Sequence, residues 1–591
     1  MSLSREESMQ MASRVESHGS TDGAIRWSAS PFSSSSSSSS SPGPASSAPG
    51  ERRGRRLTPD TGSDDNASED DEKDDEEQAM LSTEREPRGR RREPQFTPEE
   101  EQAVVHKLDR KLVVFVAVLY LLSFLDRSNI GNARVAGMDD DLQSVPPQDG
   151  WYEWALGAFY VAYIAFEWMA LLWRVVPAHI YVAVLVFSWG VTASLQAVAV
   201  NYPMLIFLRF LLGIGEAGFT GVPFYLSFFF KRDELAFRTA IFVSAAPLAT
   251  SFASSLAWLI VKFGESTPIA PWRLLFLIEG FPSLLVAGLA WHLIPDSPET
   301  ARYLTAREKK VARLRLLQPN EQQASATNSN AATTHPSTSS SSSPETTRAK
   351  SVRDTLAVLA DPAALLTAFI FFLANMAYSS LPVFLPTILH AMGHSPLASQ
   401  ALSAPPYLLA FFTVLVTARA SDAHRARAPF LIANALASAA GYTVLALARS
   451  FGDGWGMAVR YLAVYPAAVG FFNVVVLTVA WSVNNQRGAD SRRGAGFALL
   501  QAVGQCGPLV GTRLYPDRDA PYYTRGMAVC AGAMVGVAIL AAGLRWWLAR
   551  WNCRWDRDEG LDQGLRGEEE QALVSGGNGG RRKEKGFRYM L

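Results

Sequence analysis

Charged side chains inside apolar stretches are the residues of this sequence best suited to chemistry. Asp126 and Arg127 lie in one long apolar stretch, and Arg209 and Glu216 lie in another. A charge in hydrocarbon is costly, so such residues usually face a protein interior or a water-filled cavity and mark ion or substrate pathways. An arginine holds a carboxylate through two parallel hydrogen bonds, and a buried carboxylate can load and release a proton. These residue types therefore indicate a site for an anion and a proton.

Helix geometry brings the two pairs of charges to a similar depth. Asp126 lies fourteen residues after Leu112, so it lies about 21 Å along the helix from the edge of the membrane where the stretch begins. In a hydrocarbon core ~30 Å thick, this places Asp126 about 9 Å from the opposite edge. Arg209 lies five residues after Met204 on a stretch that runs the opposite way, so it lies about 8 Å below the same edge. Glu216 follows seven residues later, close to two turns, and should face the same side about 10 Å deeper. An arginine above a carboxylate suits an anion site coupled to a proton site.

The same charges have a structural alternative. They could pair with neighbours only to hold helices together, as buried ion pairs do elsewhere. Two further carboxylates, Glu167 and Glu279, are equally open to a structural role, because they lie near the ends of their stretches. Small residues beside the second pair would allow close helix packing; they are Gly213, Gly215 and Gly218.

The C-terminal half has no acidic residue in its apolar cores and carries amides and hydroxyls instead. We therefore expect the titratable groups of the site to come from the N-terminal half and neutral polar groups from the other. Those neutral groups include Asn375, Tyr378, Asn473, Gln501 and Gln505.

Twelve apolar stretches position these residues. Each approaches or exceeds the ~20 residues that cross a bilayer, and helices satisfy their own backbone groups in lipid. The sequence therefore predicts an all-α membrane protein whose environment is the lipid bilayer. The stretches cover 112–131, 152–173, 178–199, 203–230, 236–261, 272–294, 362–389, 398–418, 429–449, 456–482, 494–514 and 525–548.

The stretches form two sets of six, which predicts two six-helix bundles at 106–295 and 362–548. A polar central loop, 296–361, separates them and contains a second serine run. Residues 1–105 combine a serine run with acidic and basic blocks, a composition typical of a disordered tail. Thr97-Pro98-Glu99-Glu100 reads as a capping box that begins a short helix before the first span. Residues 549–591 form a C-terminal tail.

Basic residues next to the spans predict that both tails and the central loop are cytoplasmic. Lys107, Arg110 and Lys111 precede the first span, and six Lys or Arg residues between 302 and 315 follow the sixth. The start of the chain has no apolar leader, so we expect no cleaved signal peptide and a multi-pass protein, most simply of the plasma membrane.

Composition excludes several other function classes. The formal net charge is zero, so nothing indicates a nucleic-acid partner. Three cysteines predict neither a disulfide framework nor a zinc site. No HExxH, GxSxG or Walker pattern occurs, which argues against a membrane-embedded enzyme and an ATP-driven pump. We expect a monomer without a cofactor that is not an enzyme.

The region from about 105 to 550 resembles the major facilitator superfamily, in particular its anion:cation symporter branch and the fungal allantoate permease-like group. Departures from that group's patterns occur at Trp168-Met169-Ala170 after Glu167 and at Gln505, where an asparagine is usual. The matching segments are Phe124–Ala133, Arg209–Gly218, Tyr225–Ser227, Glu279-Gly280, Pro295–Ala301, Trp481 with Asn484-Asn485, and Asp519–Pro521.

The resemblance implies a fold of two six-helix bundles and proton-coupled uptake of a small organic anion, such as a carboxylate vitamin or a purine-breakdown product. It implies that Arg127 and Arg209 hold the substrate carboxylate while Asp126 and Glu216 exchange protons. The predicted substrate-binding set is completed by Asn129, Asn375 and Tyr378. The alternative is a nutrient sensor that keeps the fold but has lost transport.

Overall fold

The computed structural model describes residues 96–143, 150–264, 267–316, 358–450, 455–485, 490–573 and 589–591. Within these ranges all regular secondary structure is helical. The predicted all-α class is therefore confirmed. The predicted disorder of residues 1–95 and of most of the central loop lies outside the described residues.

The chain enters the fold through α1, Pro98–Leu108, which begins with the predicted capping box. The Glu100 backbone N–H donates to Thr97 Oγ1, and the Thr97 N–H donates to Glu100 Oε2, both at 3.2 Å. Ion pairs tie this helix to the segment after the sixth span, at 3.0 Å for Arg307–Glu100 and 2.9 Å for Lys107–Glu308. Residues 98–105 of the predicted tail are therefore helical and anchored, as the capping box at Thr97 suggested.

Six helices follow in the N-terminal half. The first is flanked by π-helical turns, Asp109–Val113 and Arg134–Met138, and the fourth continues through a 3₁₀ turn into Val222–Leu226. The helices are α2 (Val114–Ala133), α3 (Trp151–Phe166), α4 (Ala178–Leu195), α5 (Tyr202–Ala217), α6 (Arg232–Gly264) and α7 (Pro271–Leu293).

Six more make up the C-terminal half. The fifth of them is interrupted at Gln505 and resumes as Cys506–Gly511, and the sixth extends far beyond its predicted span. The helices are α8 (Pro362–Ala391), α9 (Pro396–Ala423), α10 (Ala428–Ala446), α11 (Trp455–Asn485), α12 (Asp490–Gly504) and α13 (Thr524–Leu573).

Each of the twelve predicted spans coincides with one of the helices α2 to α13. In the described part of the chain, ten helices are long and apolar enough to cross a membrane. The other two are α2 and α12. Helix α2 contains the polar run Asp126–Asn129, and α12 ends after fifteen residues, at the break before Cys506.

The two ends of the helix assembly differ. We call the end that holds α1 and the segment after α7 the tail end, and the opposite end the far end. At the tail end, Arg238 pairs with Asp109 at 2.6 Å, and the His179 ring lies 2.9 Å from Asp296. The predicted C-terminal tail is also partly structured there, because Tyr589 and Leu591 pack against the core.

Close packing of α3 on α5 depends on Gly213. A Cβ at this position would lie 2.3 Å from the carbonyl oxygen of Phe159, too close for any side chain. The predicted packing role of this glycine is therefore confirmed. The same contact sets the position of the Phe159 backbone, whose ring lies near two arginines described below.

We predict that Gly213→Ala lowers the thermal stability of the purified protein. Overpacking a well-filled contact costs about 1–3 kcal/mol, because the two helices must move apart. Gly288→Ala in α7 is the matched control: a Cβ there meets nothing within 4 Å, so the variant should be neutral or gain up to about 1 kcal/mol of helix propensity. Equal melting temperatures for the two variants would contradict the close contact.

Candidate functional site

A central cavity lies between the two halves. Helices α2, α3, α5 and α6 contribute to its wall from the N-terminal half, and α8, α11 and α12 from the other. Its polar lining consists of Tyr120, Ser123, Arg127, Tyr160, Tyr163, Glu216, Thr220, Asn375, Tyr378, Ser379, Gln501 and Gln505. The only charged residues in this lining are Arg127 and Glu216.

These two charges form a buried ion pair. Arg127 Nη2 donates to Glu216 Oε2 at 2.7 Å and its Nε donates to the same oxygen at 3.3 Å. Ser123 Oγ adds a third hydrogen bond to that oxygen at 2.8 Å. The second oxygen, Oε1, has no hydrogen-bond partner in the described part of the chain. One carboxylate oxygen of the pair is thus saturated, while the other is left for a proton or a ligand.

Aromatic rings support the Arg127 guanidinium. Its central carbon lies 5.0 Å from the centre of the Phe159 ring and 4.9 Å from that of Tyr163, within the range of a cation–π contact. The planar group is therefore held on its faces, while its edge donates to Glu216. This leaves the orientation of its hydrogen-bond donors well defined.

Arg209 lies behind the cavity and does not line it. Its Nη2 donates to the backbone carbonyl of Arg127 at 3.2 Å, and its guanidinium lies 5.3 Å from the Phe159 ring centre. This contact agrees with the prediction that Arg209 lies at about the same depth as Asp126 and Arg127. The Nε and Nη1 atoms have no hydrogen-bond partner among the described residues. Arg209 thus places a second positive charge on the backbone of Arg127.

Asp126 also lies outside the cavity, on the side of α2 that faces α7. It is 3% exposed and accepts a hydrogen bond from Ser283 Oγ at 3.0 Å. Glu279 lies one turn before Ser283 and is fully enclosed, without a hydrogen-bond partner in the described chain. Asn129 is also buried, and neither polar atom of its side chain has a hydrogen-bond partner among the described residues. These groups form a polar layer behind the site.

The C-terminal half contributes neutral groups, as the sequence suggested. The Tyr378 and Tyr120 hydroxyls lie 3.1 Å apart and join the two halves across the cavity. Asn375 Nδ2 donates to the Gly504 carbonyl at 3.1 Å and thereby ties α8 to the end of α12. Gln501 and Gln505 complete this wall.

The structure therefore brings together four of the seven predicted site residues: Arg127, Glu216, Asn375 and Tyr378. Arg209, Asp126 and Asn129 lie one layer back. Sequence reasoning missed the tyrosines Tyr120, Tyr160 and Tyr163, which supply much of the polar lining. The sequence offered only one sign of their role, a hydroxyl group on an otherwise apolar helix. Tyrosines at the membrane interface show the same pattern, so it did not point to the cavity.

The far end of the cavity is closed by direct contacts between the halves. Gly131 lies so close to Val383 that an added Cβ would be 2.0 Å from its carbonyl oxygen. Gln400 Nε2 donates to the Asn132 carbonyl at 3.1 Å. Arg134 Nη2 pairs with Asp517 Oδ2 at 2.6 Å. The cavity lies on the tail-end side of these contacts.

Arg134 is the charged centre of this closure. Its guanidinium lies 4.2 Å from the centre of the Tyr152 ring, and its Nε pairs with Asp139 at 2.7 Å. Asp517 is the partner from the other half, 383 residues away in the chain. The ion pair Arg134–Asp517 is therefore the contact whose removal would weaken the closure while leaving each half intact.

The family model described as Major Facilitator Superfamily matches residues 116–512. A fungal relative (strain NRRL 50135), the MFS transporter prlL, is 29% identical over 80% of this chain and 92% of its own length. A putative tartrate transporter of Agrobacterium vitis is 28% identical over 74% of this chain and 91% of its own. The solved proton:xylose symporter XylE shares the fold with a TM-score of 0.57 at 15% identity, over 74% of this chain and 95% of the other.

We predict that Asp517→Asn makes the cavity more accessible from the far end. A partly exposed ion pair contributes up to about 1 kcal/mol, so its loss should shift the population of the open form by up to about fivefold. The reporter is Ser379→Cys in a background with Cys506 and Cys553 replaced by serine, labelled with an impermeant maleimide added to the far end. The control is Asp519→Asn, which changes a charge in the same turn. Equal labelling in both variants would contradict a role of the ion pair in the closure.

Proposed function

The chain belongs to the Major Facilitator Superfamily and is a multi-pass membrane transporter, and on this premise we propose that it is a proton-coupled symporter of a small organic anion. The observation that carries the proposal is the buried ion pair Arg127–Glu216 in the wall of the central cavity. The pair offers a cation to an anionic substrate and a carboxylate to a proton. Both ligands would therefore act on one electrostatic unit.

The coupling follows from what each ligand does to the pair. A substrate carboxylate that binds Arg127 must take the place of Glu216, which would leave the Glu216 charge buried and unpaired. Breaking a buried pair in this way costs about 3–5 kcal/mol. A proton on Glu216 removes that charge, so proton and anion each favour the binding of the other. Mutual stabilisation of this kind is the thermodynamic requirement for carrying both in the same direction.

Arg209 and Asp126 have supporting roles in this proposal. Arg209 donates to the Arg127 carbonyl and adds positive potential to the anion site from behind. Asp126, hydrogen-bonded to Ser283, is a second place where a proton can reside in the N-terminal half. Asn129 lies in the same polar layer. Asn375 and Tyr378 offer an amide and a hydroxyl from the opposite wall, to bind the uncharged part of the substrate.

The substrate class rests on the charge of the cavity and on one relative. The single cation in the described lining is an arginine, which suits a carboxylate because its planar donors match two oxygens. The name of the Agrobacterium vitis relative mentions tartrate, which is a carboxylate. We infer a small carboxylate, of the kind handled by allantoate permease-like transporters.

The working cycle would be alternating access between the two halves around this cavity. The present closure lies at the far end, so the cycle must break these contacts to open the cavity on that side. We place the tail end in the cytoplasm, from the basic residues next to the spans, and the protein in the plasma membrane as a monomer. A sensor that binds but does not transport remains the rival, and the experiments below separate the two.

We predict that Arg127→Lys abolishes uptake of a carboxylate or raises its KM at least tenfold. Lysine keeps the charge but loses the planar fork that holds two oxygens. The measurement is uptake of labelled tartrate, nicotinate, pantothenate and allantoate at pH 5 and pH 7. Arg273→Lys, outside the cavity at the far end, is the control and should keep KM within about twofold of the wild type. Binding of a panel member to the wild type without any uptake would favour the sensor.

We predict that Glu216→Gln separates binding from coupling. Glutamine resembles the protonated acid, so Arg127 is free for the substrate at any pH and the affinity should no longer rise on acidification. Because no proton is bound or released, the variant should exchange substrate across the membrane but lose accumulation driven by a pH gradient. Binding is measured by thermal shift at pH 5 and pH 7, and transport by counterflow in proteoliposomes. Concentrative uptake by this variant would leave Asp126 as the proton site.

A further inference from the structure

The segment Tyr589–Leu591 lies against the tail end of the C-terminal half, away from the transport site. It contacts the last turn of α11 and the part of α13 that lies beyond its predicted span. Trp481 and Asn485, which the sequence singled out by resemblance, belong to this contact and do not line the cavity. Their place in the structure therefore requires a separate explanation.

Two asparagines each bind the backbone of one residue at two points. Asn485 Nδ2 donates to the Met590 carbonyl at 3.0 Å, and the Met590 N–H donates back to Asn485 Oδ1 at 2.8 Å. Asn552 makes the same pair of bonds with the backbone of Tyr589, at 2.9 and 3.0 Å. An amide side chain presents one donor and one acceptor, so it can bind an extended peptide much as a neighbouring strand would.

Further contacts complete the attachment. Trp481 Nε1 donates to the Met590 carbonyl at 2.8 Å, and the Arg427 backbone N–H donates to the Leu591 carbonyl at 2.7 Å. The Tyr589 ring lies 5.2 Å from the Trp555 ring, centre to centre. The segment thus touches the start of α10, the end of α11 and the middle of α13 at once.

We propose that Trp481, Asn485 and Asn552 form a peptide-binding surface whose occupant is the chain's own segment Tyr589–Leu591. The bonds go to the backbone, so the surface recognises an extended peptide more than a particular sequence. By joining the start of α10 and the middle of α13 to the end of α11, the docked segment holds the end of α11. The connection to α12 follows directly, and Gln501 and Gln505 of α12 reach the cavity wall.

Chain length allows this docking and favours it. Asn552 lies 21 residues before the end of α13, about 32 Å along the helix. The fifteen residues 574–588 can span up to about 50 Å, enough to return. A tether of this length gives an effective concentration in the millimolar range, so even a weak intrinsic affinity keeps the surface occupied.

The docking is tested by cross-linking Asn484→Cys to Met590→Cys with a short bifunctional thiol reagent, in a full-length background with Cys506 and Cys553 replaced by serine. Asn484 Nδ2 lies 3.0 Å from the Met590 sulfur, so the two shorter cysteine side chains should lie within reach of that reagent. We expect a yield at least fivefold above that of the control pair Arg302→Cys with Met590→Cys. Equal yields would overturn the proposal, and so would a cross-link that joins two chains.

Backbone recognition is tested in the same double-cysteine protein. Adding Tyr589→Ala removes a ring contact but no backbone bond, so the yield should stay within about twofold. Adding Asn485→Ala and Asn552→Ala removes four backbone bonds, and the yield should fall to that of the control pair. The opposite pattern would overturn recognition through the backbone.

Whether the segment holds the helix ends is tested by comparing the melting temperatures of single and combined variants, a measurement that requires no substrate. Deleting residues 589–591 should lower the melting temperature by about 2–4 °C, as should Asn485→Ala with Asn552→Ala. If the asparagines act through the segment, combining both changes should lower it no further. An additive fall would overturn the proposal, as would an unchanged melting temperature in both variants.

Discussion

The cost of placing charge inside a membrane protein is the constraint on which the site depends. Arg127 and Glu216 lie deep between the helices and compensate each other at 2.7 Å. Such a pair is stable only when its remaining donors and acceptors are also well placed. Ser123 bonds the carboxylate, and the rings of Phe159 and Tyr163 cover the guanidinium. The position of Phe159 in turn depends on Gly213, because only a glycine lets α5 approach its carbonyl so closely.

Much of the fold follows from the sequence because hydropathy and capping act locally. All twelve predicted spans are helices, and Thr97 and Glu100 form the expected capping box. The similar depth of Arg209 and the pair Asp126 and Arg127 could also be predicted, because the rise per residue of a helix is fixed. Tertiary contacts that spacing does not reveal order parts of both predicted tails: ion pairs anchor residues 98–105, and the backbone of Tyr589 and Met590 is bound by two asparagines.

The partners of the charges were harder to predict. Sequence spacing places Arg209 and Glu216 on one helix face, yet Glu216 pairs with Arg127 from another helix and Arg209 binds the Arg127 carbonyl. Both residues contact Arg127. Which of them meets its side chain and which its backbone depends on how α2 and α5 are rotated about their axes, and spacing within one helix does not determine this rotation. The contact between Arg134 and Asp517 joins residues 383 positions apart and left no sequence signal.

The division of polar groups between the halves has a mechanical consequence. Arg127, Glu216, Asp126 and Arg209 all belong to the N-terminal half, while Asn375, Tyr378, Gln501 and Gln505 of the other half are neutral. If the halves rock as rigid bodies, the ion pair moves as a unit and only its access to water changes. No buried charge then has to lose its partner during the movement, a step that would cost about 3–5 kcal/mol. Among the described residues, the contacts between the halves that the movement must break include the neutral pairs Tyr120–Tyr378 and Asn132–Gln400 and the ion pair Arg134–Asp517, whose carboxylate is exposed. Bonds of that kind are individually weak, so the state of the buried pair, rather than the strength of the closure, can determine which conformation is populated.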